Sequence, residues 1–252
     1  MLTVREPKFV REMEAESRRF HIDELPEGET GKDAKRPLSK EERASLLLIL
    51  ASVVFWFMGY NAVISKYSVY AGKVLDLDYN TTLLLANIAA VAAYLPVGMI
   101  ASKIGRKKTI LAGIVMLATS FGVASFLREG SSALVMNCMF ALAGIGWATI
   151  NVNSFPMVVE LSRGGDVGKY TGFYYTASMA AQTITPYFSG LLMDKIGMTT
   201  LFPYATIFVA IAFGTMLFVK HGDSREAPKQ TAAAGTEDAG AIDNTVEELT
   251  ND

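Results

Sequence analysis

Six uncharged apolar stretches follow one another between Ala44 and Val219. On a transfer scale they run over 44–65, 81–101, 109–127, 132–157, 170–193 and 200–219. Each is about 20 residues, the length a helix needs to cross a hydrocarbon layer roughly 30 Å thick. A segment in hydrocarbon has no water to satisfy its backbone, so it must be a helix or part of a closed barrel. The alternating apolar pattern of barrel strands is missing here. The expected fold is therefore an all-α membrane protein with six transmembrane helices. Composition agrees, because 51% hydrophobic residues over 252 positions, with a mean hydropathy of +0.29, is rare in a soluble domain.

The stretches are rich in Gly, Ala, Ser and Thr, which let helices approach closely in lipid. Pro96, Pro156, Pro186 and Pro203 fall within or at the ends of spans, where a bend is tolerated. Tyr67, Tyr70 and Tyr204, near span ends, read as interfacial anchors. Basic residues are unevenly shared between the two sides. One side carries Lys35, Arg36, Lys40, Arg43, Lys103, Arg106, Lys107, Lys108, Arg163, Lys169, Lys220, Arg225 and Lys229; the other carries Lys73, Arg128 and Lys195, with Lys66 at the margin. The rule that basic loops stay in the cytoplasm then predicts both termini cytoplasmic, in a multi-pass protein of the plasma (inner) membrane.

Residues 1–43 form a charged arm without the apolar core of a signal peptide. The spacing allows a short polar helix over 8–20 and a loop at Pro26. Residues 44–219 are the membrane domain, and the acidic, Ala/Gly/Thr-rich tail over 220–252 is expected to be disordered.

The lone Cys138 offers neither a disulfide nor a metal site and reads as a small packing residue; His21 and His221 lie outside the spans. No catalytic constellation is visible, so neither an enzyme nor a cofactor or metal site is expected, nor a nucleic-acid partner. The spans also hold no Asp or Glu; Glu160, Asp166 and Asp194 sit at helix ends or in loops. Intramembrane carboxylates commonly carry ion coupling, so a coupling acid for a proton or sodium ion is expected outside this chain.

Between the second and third spans lies a tight basic turn, with Gly98, Ser102, Lys103, Gly105, Arg106, Lys107 and Lys108. It resembles the loop pattern Gly-x-x-x-Asp-[Arg/Lys]-x-Gly-Arg-[Arg/Lys]-[Arg/Lys] of the major facilitator superfamily, with Ser102 in place of the Asp. Within the chain, Gly98-x-x-x-Ser102-Lys103-Ile104-Gly105 recurs as Gly190-x-x-x-Asp194-Lys195-Ile196-Gly197 at the end of the fifth span. Such an echo, basic on one side only, fits a three-plus-three inverted repeat. The resemblance implies helices seven to twelve of a twelve-helix transporter, with the degenerate second-half copy of the loop. Residues 1–43 would then be the central cytoplasmic loop. It also implies that the basic turn is a gate, and Glu160 is expected to partner Arg106.

Trp56-Phe-Met-Gly-Tyr-Asn-Ala62 and Gly168-Lys-Tyr-Thr-Gly-Phe-Tyr-Tyr175, with Gln182, Pro186 and Gly190, are similar to sucrose/maltose-type sugar symporters and glycoside-pentoside-hexuronide transporters. That resemblance implies symport of a sugar or glycoside by alternating access, with coupling acids kept largely in the first half. Sugar hydroxyls leaving water need neutral hydrogen-bond partners and an aromatic face. Candidate substrate-binding residues are Tyr60, Asn61, Asn87, Asn137, Trp147, Asn151, Tyr174, Tyr175 and Gln182. Trp147 and Asn151 are one helical turn apart. For each amide, service as interhelical glue is the competing role. The partners expected are a small-molecule substrate, membrane lipid, and a separate first half or a second copy. Transport of another small solute by a major facilitator protein, or a nonfunctional fragment or structural partner subunit, is the alternative.

Overall fold

The structure is a computed structural model and describes residues 38–161 and 167–222. The predicted arm helix over 8–20, the loop at Pro26, Arg163, Asp166 and nearly all of the acidic tail lie outside the described residues. Six long helices make up the bundle: α1 (Lys40–Tyr70), α2 (Tyr79–Ile104), α3 (Arg106–Ala124), α4 (Ala133–Glu160), α5 (Val167–Lys195) and α6 (Leu201–Leu217). Among the described residues every regular element is helical. The helices outrun the predicted spans at most ends, and polar caps start the first two of them. Ser39 starts α1 with a capping box, in which its hydroxyl accepts from the Glu42 backbone and the Glu42 carboxylate accepts from its own N–H. At the other end α1 runs into a π turn over Ala71–Leu75, and Asp76, at φ 52°, ends it.

Five of the six helices are long and apolar enough to cross a membrane. The one below that apolarity is α5, which still covers the fifth expected span over 170–193. Its Tyr, Thr, Ser and Gln residues dilute the hydrocarbon character over a length of 29 residues. Pro96, Pro156 and Pro186 sit inside α2, α4 and α5, which continue through them.

Apart from α3 and α4, helices adjacent in sequence touch little. The main packing pairs are α2 with α4, α3 with α4, α1 with α6, α1 with α5, and α3 with α6. Exchanging the first three helices for the last three maps this set onto itself, which is the three-plus-three arrangement. Each triplet runs long, long, short: α3 and α6 have 19 and 17 residues. The recurring motif marks the same place twice, for Gly105 (φ 95°) and Gly197 (φ 137°) both take the left-handed region in the turn before the short helix. That conformation is easy only for glycine.

Contact between triplets rests on missing side chains and short polar bonds. A Cβ on Gly146 would stand 2.8 Å from the Gly113 carbonyl oxygen, and one on Gly59 2.9 Å from that of Ala205, so α3–α4 and α1–α6 meet backbone to backbone. Hydroxyls tie the same pairs: Ser120 donates to the Met139 carbonyl (2.5 Å), and Ser52 meets Thr215 (2.7 Å). Such bonds contribute about 0.6 to 2 kcal/mol each in a membrane.

Tyr67 and Tyr70 are fully buried, around Phe202 at the start of α6, with Phe121 and Phe140 completing the cluster. They are therefore core aromatics and not interfacial anchors; the long α1 carries them inward against α6. Tyr204, half-buried, packs against Phe208 with ring centroids 4.4 Å apart and planes inclined by 36°. Cys138, read as a packing residue, is exposed on α4.

The start of α2 carries a pH-sensitive cap. The Asp78 carboxylate accepts from the Asn80 backbone N–H (3.1 Å), its side-chain amide (3.0 Å) and the Thr81 hydroxyl (3.2 Å). The Asn80 backbone bond, helped by the side-chain bonds, holds this exposed carboxyl below its ordinary value of 3.8. The sign follows: the cap is fully present above the unfolded value and is lost as pH falls through the folded one. Amide hydrogen exchange at Asn80 and Thr81 should therefore be protected near neutrality and speed up below about pH 4 relative to the intrinsic rate. A protection that ignores pH, or an unaltered one in Asp78→Ala, would dismiss the cap.

Candidate functional site

The first and fourth helices, each leading its triplet, meet at an aromatic seam. Gly59 and Gly146 are the points where α1 and α4 press against the short helix of the opposite triplet, and the next residue on each is Tyr60 and Trp147. These two rings stack in parallel, with centroids 3.7 Å apart and planes inclined by 3°. Phe57, one turn before Tyr60, packs edge-on to Trp147 at 5.0 Å. The paired rings thus occupy matching positions of the two repeats, on the line about which the triplets are related. Tyr94 of α2 lies within electrostatic reach of the Tyr60 phenol.

Three of the predicted amides adopt one habit. Asn61, Asn87 and Asn151 each donate an Nδ2 hydrogen to the carbonyl four residues earlier, of Phe57, Leu83 and Trp147, at 2.8, 2.9 and 2.9 Å. An amide has two N–H donors and a carbonyl oxygen, so each keeps groups for a further partner. Asn151 sits one turn from Trp147, and Asn87 lies two turns from Tyr94 on one side of α2. Tyr94 and Phe57 escaped the sequence reading. The spacing of Tyr94 from Asn87 was the available signal, but aromatic residues near proline also serve as packing.

The other predicted residues are placed differently. Asn137 lies ten residues before Trp147, about 15 Å along α4, and its Oδ1 accepts from Thr82 of α2 at 2.7 Å. Tyr174 is buried, its hydroxyl 2.9 Å from that of Ser154, which ties α5 to α4. Tyr175 is 48% exposed and leans on Phe155, with ring centroids 5.8 Å apart. Gln182 follows Tyr175 by two turns on the same side of α5 and reaches the Met179 sulfur at 3.9 Å. Tyr60, Trp147 and Asn151 are thus brought together with Asn61 beside them; Tyr175 and Gln182 lie on α5 against Phe155 and Met179; Asn137 and Tyr174 are engaged between helices.

At the basic end, α2 stops at Ile104, Gly105 turns the chain, and α3 begins at Arg106. Arg106 and Glu160 form an ion pair that ties α3 to the end of α4, with side-chain exposures of 30% and 23%. Lys107 donates to the carbonyls of Leu217 (2.9 Å) and Val219 (2.5 Å), filling the orphan acceptors at the end of α6. Ser102, where the family pattern has Asp, donates to the carbonyl of Met99 at 2.8 Å. Its hydroxyl bonds within its own helix. Beyond α6, the chain folds onto the start of α1: the backbone N–H groups of Lys220 and His221 each approach the Ser45 hydroxyl at 3.3 Å, and the His221 ring nitrogen lies 3.1 Å from it.

The sequence profile of the Major Facilitator Superfamily matches residues 81–246. The chain belongs to this superfamily. Among similar proteins, an MFS-type transporter of Metarhizium rileyi is 22% identical over 138 residues, covering 54% of this chain and 28% of its own. An uncharacterized MFS-type transporter of Methanocaldococcus jannaschii is 29% identical over 141 residues, covering 54% and 33%. The matched part therefore spans about a third of the length of these curated relatives. In structure, the chain resembles the crystal structure of the human organic anion transporter MFSD10 (TETRAN), with a TM-score of 0.56 at 13% identity. That match covers 73% of this chain and 49% of the other. Superfamily membership and the helical architecture make this an integral multi-pass membrane protein.

Proposed function

We propose that this chain is the C-terminal six-helix half of a major facilitator transporter that moves a sugar or glycoside by alternating access. The observation that carries the reading is the stacked pair of Tyr60 and Trp147 on the line relating the two triplets, with the Asn61 and Asn151 amides beside it. A ring face packs the apolar side of a pyranose, and neutral amides pair its hydroxyls without the desolvation cost of a charge. Tyr175 and Gln182 extend the polar wall along α5. Rocking against a first half would close the cavity around these groups, driven by a proton or sodium ion bound largely in that half. A separate first half, or a second copy of the chain, supplies the missing wall in the plasma membrane, with both termini cytoplasmic. The segment before α1 acts as the central loop.

The test is uptake of radiolabelled sucrose and maltose into vesicles holding this chain with its first half. Trp147→Phe keeps a ring and the packing on Phe57 but shrinks the stacking face. It should raise KM for the sugar about tenfold, equivalent to roughly 1.4 kcal/mol, within the range of an aromatic contact. Asn151→Leu should do the same or more. Saturable sugar uptake indifferent to both changes would sink the assignment of the seam, and no uptake of any glycoside would sink the substrate class.

A second reading has one observation of its own. The Lys66 ammonium lies beside Gly190 of α5, where an added Cβ would stand 3.0 Å from Nζ. No residue among those described pairs with it, so a carboxylate or phosphate on the solute would be welcome there. Inhibition of uptake by an organic anion, abolished in Lys66→Gln, would favour this alternative.

A further inference from the structure

Because α2 and α3 diverge from their shared turn at Gly105, a groove opens between them with α4 as its floor. Its cavity is about 450 Å³, walled by residues such as Ala89, Pro96 and Ile104 of α2, Ala112 and Met116 of α3, and Ile145 of α4. The two threonines in the wall offer it hydrocarbon, because Thr109 and Thr149 spend their hydroxyls on the carbonyls of Gly105 and Ile145, at 2.8 and 2.7 Å. From Ala89 to Ile104 the groove follows roughly 22 Å of helix, more than the roughly 15 Å depth of one leaflet.

Its open end is basic. Arg106 and Lys107 are engaged with Glu160 and with the end of α6, but Lys103 and Lys108 are exposed. Lys103 stands one turn beyond Ile100, and Lys108 one turn before Ala112, both groove residues. Helical spacing therefore sets the two ammonium groups over the mouth of the groove, one from each wall, on stems long enough to reach the lipid–water boundary.

We propose that this groove holds an acyl chain of an anionic phospholipid, whose phosphate is bound by Lys103 and Lys108. A hydrocarbon slot ending in two cations that pair with no residue among those described complements a molecule with an apolar chain and a negative head. It does not complement a helix of a partner subunit, which would leave both charges without counter-ions. The inference stands apart from the nature of the transported solute.

The experiment is native mass spectrometry of the full chain from mixed micelles containing equal amounts of phosphatidylglycerol and phosphatidylcholine. The wild type should retain one phosphatidylglycerol at least fivefold more often than one phosphatidylcholine. Lys103→Gln with Lys108→Gln should bring the two lipids to parity. Ala92→Phe with Ala112→Phe, which fills the groove from walls that are already exposed, should lower retention of both. Circular dichroism must show each variant folded; if a variant is not, the milder Lys103→Gln or Ala112→Phe alone is read, with half or more of the effect expected. Equal retention of the lipids by the wild type, unchanged selectivity in the lysine variant, or undiminished retention with the groove filled would each overturn the proposal. So would a cross-link from Ala112→Cys to a protein partner that displaces the lipid.

Discussion

Replacing Gly144 with valine is expected to cost most of the folded protein recovered from the membrane. A side chain there would overlap the backbone carbonyl of Ala86, the point where α4 crosses α2. No rotamer relieves a clash with backbone, so the helices must separate and lose the dispersion contacts that hold them together in lipid, where no hydrophobic drive replaces them. Overpacking costs typically 1–3 kcal/mol when side chains can give way, and more is expected here because they cannot. The thermal midpoint in mild detergent should fall steeply for Gly144→Val and by less for Gly144→Ala. Gly98→Ala serves as the contrast: the nearest atom to an added Cβ is Val152 Cγ1 at 3.9 Å, so its midpoint should match the wild type. Equal midpoints for Gly144→Val and Gly98→Ala would show that the α2–α4 crossing is not a rigid contact.

Charge reversal at Arg106 is the second large effect, and it falls on transport more than on stability. The Arg106–Glu160 pair joins the beginning of α3 to the end of α4, and an exposed or half-exposed pair is worth about 0.2–1 kcal/mol. That is little beside total stability, yet up to about fivefold in the balance of two transporter states. If the pair holds the basic end in one of them, Arg106→Glu places two carboxylates together and biases the protein away from that state. Uptake should drop several-fold with a change in thermal midpoint of no more than a few degrees. Adding Glu160→Arg should recover a good part of the rate, while Arg106→Lys should lose little. Equal uptake by the wild type and Arg106→Glu would rule out the gate.

Where residues sit on helices was readable because a bilayer demands long uncharged runs and internal hydrogen bonding. The fifth span was readable in the same way, and the Tyr, Thr and Gln residues that leave α5 less apolar than the other five are accommodated where the helix lies along α1. Tyr67 and Tyr70 were misjudged. Their distance from the span centre says interface, but the π turn over Ala71–Leu75 carries the chain on past Tyr70, and Phe202 packs edge-on to both rings. The internal echo proved more informative than its few identities promised, since Gly105 and Gly197 share an unusual backbone conformation at matching turns.

At the site, the candidate list could name polar and aromatic residues but not sort them. Asn137 and Asn151 look alike in sequence. One gives its oxygen to Thr82 and the other bonds only to its own helix. Likewise Lys107 and Lys108 are neighbours, but only Lys107 turns to the end of α6. These distinctions depend on which helix stands opposite.

The sequence by itself determined six helices, the basic side of the bundle and the repeated turn glycine, because hydrocarbon length, charge and left-handed backbone are local constraints. Only the tertiary structure decided that Tyr60 stacks on Trp147, that Arg106 meets Glu160 and that a groove opens between α2 and α3. Those depend on how two triplets interlock. That in turn is set by backbone contacts at Gly59, Gly113, Gly144 and Gly146, where the deciding feature is an absent side chain.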